Sequence, residues 1–217
     1  MAEYWPEMQN DPDAIARIKK SVELLDAKEG MTVLDVGCHK QEASNYLTGC
    51  KYLGVDSEKL HPDTYQIDID GGFKLKEQVD RILCLETLEH LLMPGGTLQS
   101  IHTHLRDQGL AVVSLPNEAT VFHRIRSLLG TVDAECFVYG GKHLHLPSLR
   151  QCRRFLSEQF QILEEAYYIS TEARGTRQSW FQHVLRLFPK RLLQLLANLF
   201  PSLFARGFIF KLKKKLS

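Results

Sequence analysis

The chain has little to tie it together covalently. Its 217 residues include five cysteines, Cys38, Cys50, Cys84, Cys136 and Cys152. That is an odd number with no CxxC pair, which argues against a disulfide scaffold or a structural zinc site and for a reducing, cytoplasmic setting. The opening MAEYWPEMQNDPD has neither a basic start nor an apolar core, so no signal peptide is expected. The longest greasy stretch, Leu192–Ala205, is broken by Gln194, Asn198 and Pro201 and is too short to span a bilayer. Internal repeats and low-complexity blocks are missing as well. Net charge is only +1, so bulk electrostatics commit the protein to no partner.

One further absence is local. Between Ala173 and Ser217 there is no Asp or Glu, yet ten Lys/Arg fall there. The remainder then carries 17 basic and 26 acidic residues, a net of −9. The molecule reads as an acidic body with a basic, greasy tail.

What is present alternates. Residues 11–29 have Ile15, Ile18, Val22 and Leu25 at helical spacing, with Asp11 or Asp13 as the cap. Met31–Val36 is a short apolar run of the kind found in buried parallel strands. His39–Thr48 is weakly helical. Tyr52–Val55, Tyr65–Ile69, Val79–Leu85, Leu110–Leu115 and Phe160–Ser170 read as further strands, with helices at Leu98–Leu105 and Leu149–Gln159. Strand and helix in turn predict an α/β fold, a doubly wound, mostly parallel sheet that binds ligands at the carboxyl ends of its strands.

Three acids stand where such a sheet needs them. Asp35 and Gly37 close the first strand, and a glycine there lets the backbone turn sharply beside a ligand. Asp56 closes the second, about 20 residues on, where a carboxylate grips ribose hydroxyls. Asp68, in the third, is placed to accept from an adenine amino group.

These segments resemble the class I methyltransferases that use S-adenosylmethionine (SAM), of the methyltransferase type 11 kind. Within them the chain is most similar to the MetW-like and ubiquinone-biosynthesis-like branches. The resemblance rests on VLDVGC (33–38), GVDSEKL (54–60), YQIDIDGGF (65–73), ILCLETLEHL (82–91), DQGLAVVSLPN (107–117) and HLHLPSLRQCRRFL (143–156). It implies a Rossmann-like seven-stranded sheet with an antiparallel last strand, and SAM as cofactor. It also places Asp35, Gly37 and Cys38 at the methionine part, Asp56 with Ser57 at the ribose, Asp68 with Ile69 at the adenine, and Leu85 nearby. The chain departs from the family after Gly37, because His39 and Gln41 replace the second and third glycines of the motif. A tighter pocket follows, or a non-catalytic, MetW-like binding relative.

Candidate catalytic groups are His143 and His145, which alternate in KHLHLP and suit a base near neutral pH. No metal is expected. The alternative ligand set is Glu86, Glu89 and His90, two carboxylates and an imidazole that suit a divalent cation but equally suit a first helical turn.

The expected organisation is a core over 1–172, with Glu172–Ser179 as its linker to a basic amphipathic helical insertion over 173–205, and a last strand with basic tail over 206–217. Its aromatic and leucine stripe, from Trp180 to Phe200, is framed by cations and points to an anionic membrane surface across 180–215. Nucleic acid is disfavoured, since the cations frame grease rather than form a patch. The acceptor is expected to be small or linked to a lipid or glycan, methylated at oxygen on the inner membrane face.

Overall fold

The computed structural model describes residues 12–130, 143–169 and 189–215. Seven strands form one sheet: β1 (Thr32–Val36), β2 (Lys51–Asp56), β3 (Thr64–Gln66), β4 (Val79–Leu85), β5 (Leu105–Pro116), β6 (Phe160–Tyr168) and β7 (Gly207–Lys214). Their order is β3-β2-β1-β4-β5-β7-β6. The first five run parallel, and β7 enters antiparallel between β5 and β6. The order reverses beside β1, which puts the ligand crevice at the carboxyl ends of β1, β2 and β4.

Alternating side chains on each strand feed two cores. Val33, Leu83, Val112 and Ile209 face α1 (Pro12–Leu25), meeting Ile18, Leu24 and Leu25. Leu34, Ile82, Val113, Phe208 and Phe210 face the other way. There they meet Leu98 and Ile101 of α2 (Pro94–His104), then Cys152 and Leu156 of α4 (Leu149–Ser157). Ala197 of α5 (Lys190–Leu199) completes that face. Ser148 starts α4 with a capping box, its hydroxyl accepting from the Gln151 N–H while the Gln151 side chain returns to the Ser148 N–H.

α1 stops four residues short of the expected 29 and has no basic residue in its last turn. Arg81 of β4 supplies the cation. Its buried guanidinium donates from Nε to the Leu25 carbonyl (2.9 Å) and from Nη2 to that of Asp26 (3.3 Å). Orphan carbonyls at a helix end need such a donor. Arg81→Ala is expected to cost about 1–3 kcal/mol, because it leaves the buried Leu25 carbonyl without this donor. A thermal melt lowered by less than a degree would show that the cap is dispensable.

Other expectations are revised by the packing. The third strand spans only Thr64–Gln66, and Asp68 lies in the loop beyond it. The Leu98–Leu105 helix begins earlier, at Pro94, which suits a first turn because proline needs no donor there. The fifth strand extends back to Leu105 across an irregularity in its pairing with β4. A short helix, α3 (Val121–Leu128), follows β5 where none was expected. The linker at 172–179, Cys136 and the stripe residues from Trp180 to Phe188 lie outside the described residues.

The basic tail is not one surface. α5 and the single turn α6 (Pro201–Phe204) sit at the carboxyl end of β5, where Gly207 pairs with Pro116. β7 then runs back eight residues, roughly 25 Å. Lys213 therefore pairs with Leu110, and Lys214 donates to the Leu105 carbonyl (3.1 Å) at the opposite end of the strands. Among the described residues no helix is long and apolar enough to cross a membrane.

Candidate active site

The loop after β1 reaches the crevice. Gly37 has φ +75°, and a Cβ there would lie 2.3 Å from Thr87 Oγ1, so glycine is required. Gly37 and Cys38 both donate N–H to the Val55 carbonyl (2.9 and 3.2 Å), which ties the loop to β2. The two positions that lack the family's glycines keep a glycine-like backbone, with φ +47° at His39 and +61° at Gln41. Holding such residues left-handed costs about 1–3 kcal/mol each, so surrounding bonds must fix them. The Gln41 amide donates to Thr64 Oγ1 (3.0 Å), and His39 Nδ1 meets Glu42 Oε1 (3.2 Å). The loop thus takes glycine-like turns while its side chains add bulk.

Asp56 organises this turn. Its carboxylate accepts from the His39 N–H (2.9 Å) and the Glu58 N–H (3.1 Å), with the Ser57 hydroxyl at 3.4 Å. A carboxylate has about four lone-pair positions, so ribose hydroxyls can still be accepted. Asp35 is buried at the end of β1 and takes the Tyr52 hydroxyl at 2.5 Å. Burial raises its carboxyl to about 7, the Tyr52 bond working against the shift and the Glu42 and Asp56 charges adding to it. Burial likewise raises the Cys38 thiol to about 12, which makes it a wall and not a nucleophile.

Beyond β3, Asp68 is exposed and accepts the Asp70 N–H (3.0 Å). Ile69 is packed into the core, and its carbonyl takes the Thr97 hydroxyl (2.5 Å). Leu85, half-buried, ends β4. Asp70 had drawn no notice in the sequence, yet it accepts from the Leu92 and Met93 N–H groups (2.9 and 2.7 Å) and braces the start of α2.

After β4 the acids separate. Glu86, at φ +51°, accepts the Ser114 hydroxyl (3.0 Å) and faces Arg17 at 3.8 Å. Glu89 is 1% exposed. Glu89, His90 and His143 bring potential ligand atoms within 4.8 Å of one another. This group differs from the set Glu86, Glu89 and His90: it includes His143 and leaves out Glu86, whose carboxylate accepts from Ser114 and faces Arg17. One carboxylate and two imidazoles could hold a divalent cation.

The two candidate bases differ. His145 Nε2 lies 2.9 Å from the Leu91 carbonyl, so that nitrogen carries the proton and anchors the loop. His143 Nδ1 lies 3.0 Å from Glu118 Oε1, while the rings of His90 and His143 meet edge-to-face with centroids 4.9 Å apart. Burial works against the Glu118 charge, but the His143 bond, Arg206 and His123 outweigh it and hold the carboxyl below its ordinary value. An ionised Glu118 orients the imidazole with Nδ1–H inward and Nε2 left as a base, as in carboxylate–histidine pairs generally. Glu118 is the residue the sequence concealed. It directly follows Asn117, whose fully buried amide donates to the carbonyls of Pro201, Ser202 and Ala205 (3.2, 3.4 and 2.9 Å) and pins α6.

A seven-stranded sheet with this strand order, a clamped turn after β1 and an acid closing β2 define a class I methyltransferase. A family model described as a methyltransferase domain matches residues 7–164. The chain belongs to that family, and its cofactor is SAM. It is 29% identical over 119 residues to the ubiquinone biosynthesis O-methyltransferase of Bradyrhizobium diazoefficiens, covering 48% of this chain and 47% of that protein. It is 24% identical over 204 residues to the cyclopropane-fatty-acyl-phospholipid synthase of Escherichia coli K12, covering 86% and 51%. The chain thus spans about half the length of the curated relatives it matches. The fold is shared with the N-methyltransferase NodS from Bradyrhizobium japonicum WM9 in complex with S-adenosyl-L-homocysteine (SAH). The TM-score is 0.60 at 14% identity, over 96% of this chain and 91% of that one.

Proposed function

We propose that this methyltransferase acts at oxygen, on a small or lipid- or glycan-linked acceptor close to an anionic membrane surface. The observation that carries the reading is the Glu118–His143 pair beyond the carboxyl end of β5. SAM supplies an activated methyl on a sulfonium. Asp35 and Gly37 with Cys38 hold its methionine part, Asp56 with Ser57 the ribose, and Asp68 with the backbone of Ile69 the adenine. Leu85 flanks them. His143, oriented by Glu118, takes the proton from the acceptor hydroxyl at Nε2, and the methyl transfers in line. Proximity and alignment do much of the rest.

A second reading, a non-catalytic MetW-like binding protein, draws support from the His39 and Gln41 side chains, which stand where glycines would leave space open. Calorimetric titration with SAM separates the two, with saturable binding expected at micromolar to millimolar ligand. No heat at millimolar SAM would sink the enzyme.

The membrane reading is now narrower than 180–215. It rests on α5, where Leu192, Leu195 and Leu199 form an exposed stripe at helical spacing beside Lys190 and Arg191, and on exposed Ile125, Leu128 and Leu129 around the end of α3, which touches α6. Such a face suits the interface of an anionic leaflet and a peripheral, cytoplasmic-side location. Co-sedimentation with phosphatidylglycerol vesicles is expected to fall with salt and to weaken in Leu195→Glu, but to be unchanged in Lys213→Gln. Equal recovery on neutral vesicles would refute the electrostatic part.

A further inference from the structure

Between α2 and α4 lies a cavity of about 230 Å³, on the sheet face away from α1. Leu88, Leu115, Cys152 and Phe155 make its apolar walls, and Leu146, half-exposed, stands at its rim. Glu89 is part of the same lining. Among the described residues neither oxygen of its buried carboxyl finds a hydrogen-bond partner, and His90 Nε2 stands off at 3.8 Å. Its backbone carbonyl, by contrast, accepts from both the Leu144 and the His145 N–H (2.7 and 3.1 Å), so the loop that closes the cavity is clamped to the same residue.

A buried carboxyl without partners costs roughly 1–3 kcal/mol or more, and such groups ask for an explanation. Its two oxygens stand in the cavity lining and can accept from a donor placed there. An apolar cavity of about 150 Å³ admits one benzene. The larger volume here admits one ring or a short branched chain with a single polar substituent.

We propose that this slot binds a compact apolar group bearing one hydroxyl, with the Glu89 carboxyl as its polar anchor. The ligand hydroxyl donates its O–H to a Glu89 carboxyl oxygen. The inference rests on the methyl-transfer reading for its use. Leu88 and Glu89 follow β4 and Leu115 ends β5, so the slot would hold part of the acceptor beside the reacting hydroxyl.

The test is a titration of the protein with cyclohexanol and with cyclohexane, followed through the methyl resonances of Leu88, Leu115 and Leu146. Saturable shifts are expected with cyclohexanol, about fivefold tighter than with cyclohexane, the worth of roughly one hydrogen bond. Glu89→Leu is expected to reverse that preference, and Leu146→Trp at the rim to block both probes. Equal affinity for the two probes in the wild type would overturn the role of Glu89, and no saturation would overturn the site. Manganese that broadens the His90 and His143 ring signals and expels cyclohexanol would assign Glu89 to a cation instead, which also overturns the proposal. SAH is titrated in parallel. If SAH binds and cyclohexanol does not, the slot fails and the methyl-transfer reading stands; the reverse outcome fails that reading and leaves the slot.

Discussion

Asp35→Asn is expected to make the protein more stable at pH 8 and a poorer SAM binder. The carboxyl titrates near 7 in the folded chain, against an ordinary 3.8. Above about pH 4 the unfolded chain gains from ionising this group, while the folded chain keeps it neutral until about 7. Stability from this residue is therefore whole at low pH, falls across the window from 4 to 7 and stays low above it. The lost amount is about 4 kcal/mol at pH 8, and roughly 1–2 kcal/mol at pH 5. An amide removes the ionisation, less whatever its own N–H groups lose by burial. Thermal melts should thus show a gain for Asp35→Asn that grows between pH 5 and pH 8. Titration with SAM should show a loss of tenfold or more, because in the binding mode proposed above this carboxylate meets the methionine ammonium. A pH-independent melting difference would remove burial as the cause. Unchanged affinity would take Asp35 out of the cofactor site. Opposite signs for stability and binding are the expected mark of a group kept for function.

The second large effect is at His143. His143→Ala is expected to lower methyl transfer by about 10²–10⁴, the usual contribution of a positioned base. Glu118→Gln should lower it by about tenfold or more, since the amide can present its N–H to Nδ1 and invert the tautomer. Transfer of labelled methyl from SAM to a total lipid fraction reads both rates, and SAH affinity should stay within about threefold of the wild type. His145→Gln, which can still reach the Leu91 carbonyl, should retain most activity. A Glu118→Gln variant as active as the wild type would reduce that carboxylate to a surface ion-pair partner, of small worth.

The core strands could be read from the chain because each is a short apolar run with its own stop signal. Val33–Gly37 ends in an acid and a glycine, and Leu110–Pro116 ends in a proline. Where polar residues interrupt, as at Gln66 and Asp68, the run overstates the strand, since pairing with β2 stops at Gln66. α3 was hidden because eight residues make barely two turns, too short a window for a helical period to stand out. The site divides in the same way. Asp35, Gly37 and Asp56 announce themselves by position on strand ends. Glu118 does not, because a lone acid 25 residues from its histidine forms no local pattern. The left-handed turns at His39 and Gln41 were equally silent, for nothing in those side chains advertises them; neighbouring bonds impose them. Composition likewise merged Lys213–Lys215 with the α5 cations, and only the direction of β7 parts them.

Asn117 and Glu118 are joined by a single peptide bond. One holds the turn beneath α5 by three carbonyls, and the other aims the base. A tilt of that helix on meeting a bilayer would act on the imidazole as a lever whose fulcrum is the Asn117 amide. On the membrane reading proposed above, turnover would then rise on contact with vesicles beyond what the local concentration of acceptor accounts for.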